Sequence, residues 1–163
     1  MSQPAGGQRA LDPKQVQVWR AGWGALALVL VALAAGTEAV VRLTDRSWPL
    51  PPGGVALLVA LAMAPIVWRV PRLAFDRWRY ELADTTLELR RGVIVQTHTA
   101  IPYFRVQHID ITRSPIERAL GLSQLVVRTA AASTDATIPG VAVADADELR
   151  RVILASIGRG DAV

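Results

Sequence analysis

Two long stretches without a charged residue dominate the first half of the chain. They cover residues 21–37 and 47–68. Each is apolar around the whole circumference of a helix, whereas a surface helix of a soluble protein has a single apolar stripe. With their flanks, both reach the roughly 20 residues that a helix needs to cross about 30 Å of hydrocarbon. The pattern predicts a hairpin of two membrane-spanning helices, at about residues 21–41 and 53–68.

A cleaved secretory signal is the alternative interpretation of the first stretch, because the small residues Ala34, Gly36 and Ala39 lie at its end. However, the polar lead of about 20 residues is long for a signal, and a second apolar stretch follows directly. We therefore favour two spans that remain in the protein.

Positive charges predict the orientation of the hairpin. Most of the positive charges near the hairpin precede the first stretch or follow the second: Arg9, Lys14, Arg20, Arg69, Arg72, Arg77 and Arg79. Only Arg42 and Arg46 lie between the stretches. Because segments rich in Lys and Arg stay in the cytoplasm, we expect a multi-pass protein of the cell membrane with both termini cytoplasmic.

Small residues recur every four positions in both stretches, which places them on one face of each helix. They are Ala32, Gly36, Ala56, Ala60 and Ala64. Such faces let helices approach closely in a membrane. We expect them to pack the hairpin together, and a homo-oligomer interface is the alternative.

Glu38 and Pro65 interrupt the apolar pattern. Glu38 lies within one turn of the outer end of the first span, so we interpret it as snorkelling or solvated and not as an intramembrane functional acid. Pro65 cannot donate a helical hydrogen bond, and we expect it to kink the second helix near its inner end.

From Trp78 the apolar period changes to two, which is typical of strands. Alternating apolar residues form successive groups: Trp78, Tyr80 and Leu82, then Leu87 and Leu89, then Val93 and Val95. The residues around Asp84 and the Arg91-Gly92 pair fit hairpin turns between these groups. A further extended stretch at residues 102–112 brings the expected number of antiparallel strands to four.

Helix and strand signals alternate in the last third of the chain. Ser114 as N-cap, Pro115, Glu117 and Gly121 predict a short helix. Strands are expected at residues 125–129 and 136–138, with a turn at Ser133-Thr134-Asp135 between them. A final helix is expected from about Asp145, which forms a capping box with Glu148. Its predicted apolar stripe consists of Leu149, Val152, Ile153 and Ile157.

Together these elements predict an α+β membrane protein. The expected parts are a cytoplasmic N-terminal tail (1–20), a transmembrane helical hairpin (21–70), a β-rich domain closed by a C-terminal helix (71–157) and a flexible tail (158–163).

The order of these elements, and residues 90–122 in particular, resemble the bacterial pleckstrin-homology (PH) domain. Two spans before such a domain resemble the YdbS-like membrane proteins. The most specific matching positions are Gly92, Ile101-Pro102, the segment 105–109, Arg118 and Leu120-Gly121. The resemblance implies a strongly bent antiparallel sheet or barrel capped by the terminal helix. It also implies a binding or scaffolding role at the membrane, and none of the matching positions is catalytic.

One position departs from the PH domains that bind phosphoinositides. Those domains resemble one another in carrying Lys and Arg around the first hairpin, where rigid donors surround phosphates. Here that hairpin carries Asp84 between Ala83 and Thr85. Because a carboxylate repels phosphate, we do not expect specific inositide recognition.

The composition of the chain excludes several kinds of functional site. The chain has no cysteine, which excludes disulfides, zinc ribbons and thiolate nucleophiles. Its net charge is +4, but the excess lies beside the apolar stretches and not in a broad basic stripe, so we do not expect nucleic-acid binding.

Only two histidines are present, His98 and His108. His108 and Asp110 share a strand face, but a metal site needs at least one more ligand of suitable spacing. A hydrolase triad with Ser114 lacks a positioning motif, and Ser114 is better explained as a helix cap. We therefore expect no catalytic residue, no metal and no cofactor, and a small membrane enzyme is the least favoured interpretation.

Six arginines of the second half are candidates for contacting lipid or a partner: Arg90, Arg91, Arg105, Arg113, Arg118 and Arg128. The favoured hypothesis is a non-catalytic, membrane-anchored scaffold that binds a membrane protein at the cytoplasmic face, for example another PH-like membrane protein. Binding would use a sheet edge or the groove beside the last helix. The alternative is a binder or sensor of anionic lipid headgroups.

Overall fold

The computed structural model describes residues 7–44, 49–130 and 135–160, with side chains up to Ser156. It divides into a helical unit, Val16–Leu73, and a β-rich unit formed by the chain up to Gln15 and from Ala74 onward.

The helical unit contains the two apolar helices that the sequence predicts. Helix α1 spans Gln15–Thr44 and helix α2 spans Gly54–Asp76. At 1.5 Å per residue they are about 45 and 35 Å long, enough to cross a bilayer. Both extend beyond the predicted spans, because hydropathy marks only the apolar part of a helix and the backbone remains helical through the polar flanks. Helix α2 continues past Pro65 and Pro71.

The β-rich unit has six strands in two antiparallel sheets. The first sheet has the order β1-β2-β3, with β1 at Arg79–Leu82, β2 at Thr86–Arg91 and β3 at Thr97–Pro102. The second has the order β4-β5-β6, with β4 at Val106–Thr112, β5 at Leu122–Thr129 and β6 at Ala136–Ala142. A single 3-10 turn, Tyr103–Arg105, separates the two sheets along the chain. The predicted α+β architecture is therefore confirmed.

The core of this unit follows from strand alternation. Leu87 and Leu89 in β2, with Ile101 in β3, are buried in the first sheet. Leu125 in β5 and Ile138 in β6 are fully buried in the second. The last helix, α4 (Val143–Gly160), packs on β4, β5, β6 and the 3-10 turn.

Helix α4 differs in two details from the prediction. It begins at Val143, two residues before the expected start at about Asp145, and the Val143 N–H donates to the Gly121 carbonyl (3.1 Å). Leu149 and Ile153 are buried as predicted, whereas Val152 is 39% exposed because it lies beside that stripe. The helix extends to Gly160, beyond the predicted start of the tail. The side chain of Ile157, residues 161–163 and the predicted turn at Ser133-Thr134 lie outside the described residues.

The short helix α3, Pro115–Leu120, has the predicted caps. The Ser114 N–H donates to Glu117 Oε2 (2.7 Å) and the Glu117 N–H donates to Ser114 Oγ (3.3 Å). Gly121 ends the helix at φ 72°, a left-handed conformation that favours glycine. Gln124 Nε2 also donates to Glu117 Oε1 (2.6 Å), so this buried carboxylate joins α3 to β5.

The sequence pattern is wrong about Val93 and Val95, which do not lie in a strand. Residues 92–96, called the tip loop below, connect β2 to β3. Ile94 is 95% exposed and Val95 is 76% exposed. Gly92 ends the strand because its φ is +118° and a Cβ there would lie 1.8 Å from the Val95 carbonyl oxygen. Apolar residues at every second position cannot by themselves reveal that the chain turns at Gly92.

The segment before α1, residues 7–15, packs on the β-rich unit. Arg9 and Tyr80 exchange two backbone hydrogen bonds (2.7 and 3.0 Å), which adds a bridge to β1. The Asp12 N–H donates to the Gly140 carbonyl (2.9 Å), and Lys14 Nζ donates to the Leu120 carbonyl (3.2 Å). From the sequence alone, these residues are expected only as part of a tail.

Candidate functional site

A shallow groove lies between the edge strand β4 and helix α4. It has a volume of about 100 Å³ and is lined by Val106, Gln107, His108, Ile109, Arg150 and Leu154. Because β4 pairs only with β5 in its sheet, alternate N–H and C=O groups of β4 point away from that sheet. The groove therefore combines the backbone of a strand edge with apolar and basic side chains.

The ladder between β4 and β5 is irregular beside this groove. Val106 pairs with Thr129 and His108 pairs with Arg128, so Gln107 has no partner in the register. Such a bulge bends a strand and changes the direction of its side chains. The side chain of Gln107 is exposed.

His108, Asp110 and Arg128 form an exposed row on β4 and β5. His108 Nε2 lies 2.8 Å from Asp110 Oδ1, and Arg128 Nε donates to Asp110 Oδ2 (3.2 Å). Asp110 therefore has basic partners on both oxygens. In the described part of the chain, no three His, Asp or Glu side chains come together as metal ligands do. Ser114 Oγ accepts a hydrogen bond within the cap of α3, which confirms its interpretation as a helix cap.

The six candidate arginines are all exposed. Arg90 and Arg91 lie side by side at the end of β2, next to the tip loop. Arg105 lies in the 3-10 turn, with its guanidinium 5.8 Å from the ring of Phe104. The other three lie in or beside the second sheet, and of these Arg128 is paired with Asp110. Their contact with lipid or a partner stays a prediction.

The small residues of the helices differ in their surroundings. Ala56 and Ala60 in α2 are partly buried, whereas Ala32 and Ala64 are exposed. At Gly36 no described atom lies within 4 Å of the position of a Cβ, so Gly36 does not pack inside the hairpin. Packing of these residues against another helix stays a prediction.

The interpretation of Glu38 as a solvated residue is wrong. Only 4% of Glu38 is exposed, and its carboxylate accepts hydrogen bonds from the N–H groups of Gly53 (2.9 Å) and Val55 (3.1 Å). Arg42 donates to the same carboxylate through Nε and Nη2, and also to the Leu50 carbonyl. Glu38 thus caps the first turn of α2, whose N–H groups have no helical partner. Hydropathy cannot reveal such a pairing across the hairpin.

A second arginine contact joins the helices at the opposite end of the hairpin. The guanidinium of Arg20 lies 4.2 Å from the centre of the Trp68 ring, and Arg20 Nη2 donates to the Trp68 carbonyl (3.4 Å). Cation–π contacts of this kind are strongest where water is excluded. The hairpin is therefore fixed at both ends by an arginine.

Comparison with known proteins agrees with this architecture. A family model described as "Bacterial PH domain" matches residues 21–157. The chain belongs to this bacterial PH domain family. The match includes both apolar helices as well as the sheets and α4, so the helices are part of the family pattern.

The bacterial PH chain is also similar to a named membrane protein. It is 28% identical over 141 residues to the "UPF0699 transmembrane protein YdbS" of Bacillus subtilis (strain 168), which covers 86% of each chain. No solved structure gives a significant match. The resemblance to PH-like and YdbS-like proteins that the sequence analysis describes is thus confirmed, and the chain is a membrane-associated PH-like module.

Proposed function

We propose that the protein is a non-catalytic scaffold, anchored in the cell membrane by α1 and α2, that binds a segment of a membrane protein at the cytoplasmic face. Two helices of sufficient length and hydropathy, together with a transmembrane relative, support the anchor. The family is typically non-catalytic, which supports a binding role.

The segment before α1 supports a same-side arrangement of the two ends of the hairpin. Residues 9–15 precede α1, whereas their partners Tyr80, Leu120 and Gly140 follow α2. Hydrogen bonds of this kind form only if both segments are on the same side of the membrane. A hairpin that crosses twice satisfies this condition, and the excess of arginine at both of its ends favours the cytoplasmic side.

The edge strand β4 is the observation that carries the binding proposal. An extended peptide can add to such an edge through its main chain and place alternate side chains in the neighbouring groove. Here the groove offers the apolar Leu154, which is 47% exposed, beside the basic Arg150. We therefore expect a partner segment with apolar and acidic side chains. Because partner and scaffold share one membrane, a modest intrinsic affinity suffices.

Site-directed crosslinking in native membranes tests the binding proposal. A photo-reactive residue at Gln107 is expected to capture one reproducible protein, whereas the same residue at Asp84, in the turn between β1 and β2, is not. Capture at both positions or at neither would contradict binding along β4.

The variant Gln107→Pro tests the role of the backbone. Gln107 has no partner in the β4 and β5 register, and Val106 already has the extended conformation (φ −75°, ψ 122°) that proline requires before it. The variant removes one backbone N–H at a bulge of an edge strand, a position where sheets tolerate proline. We expect it to abolish crosslinking from a photo-reactive residue at Leu154, while Gln107→Ser retains it.

A further inference from the structure

The tip loop exposes two adjacent large apolar side chains. Ile94 and Val95 are 95% and 76% exposed, although the other apolar residues of the first sheet are largely buried. Exposed apolar surface that is rimmed by polar residues is a candidate for binding a partner or a membrane. Neither the fold nor the groove beside α4 accounts for this loop.

The conformation of the loop is fixed. Gly92 has no room for a Cβ, because that atom would lie 1.8 Å from the Val95 carbonyl oxygen. Arg77 Nη1 donates to the Val93 carbonyl (2.6 Å) from outside the loop. Ile94 and Val95 are therefore presented to solvent by a defined turn.

The contact of Arg77 with Val93 also connects the tip loop to the end of α2. Arg77 follows the last residue of that helix, and Arg79 Nη1 donates to the Phe75 carbonyl in its last turn (3.3 Å). The loop is therefore held beside the last turn of α2 by a residue that directly follows the helix.

The charge around the loop fits an anionic surface. The segment 90–98, RRGVIVQTH, contains two arginines and no acidic residue. Arg90 pairs across the sheet with Arg79. Like charges directly opposite one another are destabilising, so an anion beside this pair would relieve a repulsion.

We propose that the tip loop inserts Ile94 and Val95 into the anionic leaflet of the bilayer that holds α1 and α2, with Arg77, Arg90 and Arg91 among its headgroups. The proposal rests on the membrane anchor of the proposed function but not on the protein partner. It fixes the β-rich unit to the membrane at a second point besides α2. Each arginine held near an anionic surface strengthens such binding about fivefold.

Single cysteines carrying an environment-sensitive fluorophore test the insertion, because the natural chain has no cysteine. The full-length variants Ile94→Cys, Asp84→Cys and Leu28→Cys are labelled and reconstituted in vesicles of phosphatidylglycerol and phosphatidylcholine that contain a nitroxide-labelled acyl chain. Asp84 lies in the turn at the other end of β2, about 20 Å from the tip loop. Leu28 is 73% exposed in α1 and reports on the span.

The Leu28 and Ile94 probes are expected to be quenched, with quenching at Ile94 at least about threefold stronger than at Asp84. With Arg90→Gln and Arg91→Gln added, or with phosphatidylcholine alone, quenching at Ile94 should fall towards the Asp84 value. Equal, weak quenching at Ile94 and Asp84 with strong quenching at Leu28 overturns the insertion and leaves the anchor intact. Weak quenching at Leu28 overturns both the insertion and the proposed membrane anchor.

Discussion

The helical hairpin and the β-rich unit distribute polar and apolar side chains in opposite ways. In the hairpin, leucines such as Leu28 and Leu61 are largely exposed, whereas the carboxylate of Glu38 is 4% exposed. In the β-rich unit, leucines such as Leu125 are fully buried and the candidate arginines are exposed. This difference indicates that the two units are built for different solvents. The tip loop is the exception within the β-rich unit, because it exposes Ile94 and Val95.

A matched pair of leucine truncations should produce the largest contrast between the units. Leu125→Ala leaves a cavity in the core of the second sheet and is expected to cost about 2–5 kcal/mol of unfolding free energy. Leu61→Ala, at a position 62% exposed in α2, removes little protein contact and should cost less than about 0.5 kcal/mol in detergent. Chemical unfolding of both variants in the same micelles measures the difference. Equal losses would show that the hairpin has a conventional core.

The second prediction compares a buried carboxylate of the hairpin, Glu38, with a carboxylate on the outer face of the β-rich unit, Glu88. Glu38→Gln weakens the capping of α2 and leaves the guanidinium of Arg42 without its anionic partner. We expect α2 to fray at its N-terminus and the helical thermal transition to fall by several degrees in circular dichroism. The control Glu88→Gln, on the outer face of β2, should leave that transition unchanged. A Glu38 variant that melts like the wild type would contradict the capping role.

Two glycine substitutions, one in each unit, are expected to change stability in opposite directions and by smaller amounts. Gly140→Ala introduces a side chain at φ +61°, with its Cβ 2.7 Å from that of Gln15, and should cost about 1–3 kcal/mol. Gly24→Ala in α1 meets no described atom within 4 Å and should stabilise the helix by up to about 1 kcal/mol. Limited proteolysis of residues 7–15 measures the first effect. Unchanged protection in Gly140→Ala would contradict the packing of this segment.

The smallest expected effect is a pH dependence in the β-rich unit. Burial raises the pKa of Tyr80 above its ordinary value of 10.0, an effect that nearby Arg9 opposes and Asp145 reinforces. A raised pKa means that the neutral phenol stabilises the folded state. This contribution is complete below about pH 10 and is lost as the pH rises through the folded-state pKa.

Proteolysis of residues 7–15 above pH 10 should therefore accelerate in the wild type. It should accelerate less in Tyr80→Phe, which cannot ionise. Identical pH profiles would exclude a contribution of Tyr80.

The sequence predicts those parts of the fold that local patterns determine. Hydropathy locates both helices, the period of two locates most strands, and Ser114, Glu117 and Gly121 define α3. It does not predict the packing of residues 7–15 on β1 and β6, because those contacts join backbone groups far apart in the chain. Leu11, an apolar residue in the polar lead that proves to be 4% exposed, is the one local signal of that packing.

The candidate surfaces are less predictable than the elements. The groove beside the last helix is named in the favoured binding hypothesis, but the unpaired position of Gln107 depends on the register between β4 and β5. The tip loop is missed because Val93 and Val95 alternate as strand residues do. Only the positive φ of Gly92 turns them out of the sheet.

The central claim is that the chain crosses the membrane twice, with both ends of the hairpin in the cytoplasm. The most direct test of this claim is the accessibility of single cysteines in intact cells. Gln8→Cys precedes α1, Pro52→Cys lies in the connection before α2, and Asp84→Cys lies in the β-rich unit; all three positions are exposed. A membrane-impermeant maleimide should label Pro52→Cys in intact cells, and the other two only after permeabilisation. Labelling of Asp84→Cys in intact cells, or recovery of the protein in aqueous extract without detergent, would contradict the account.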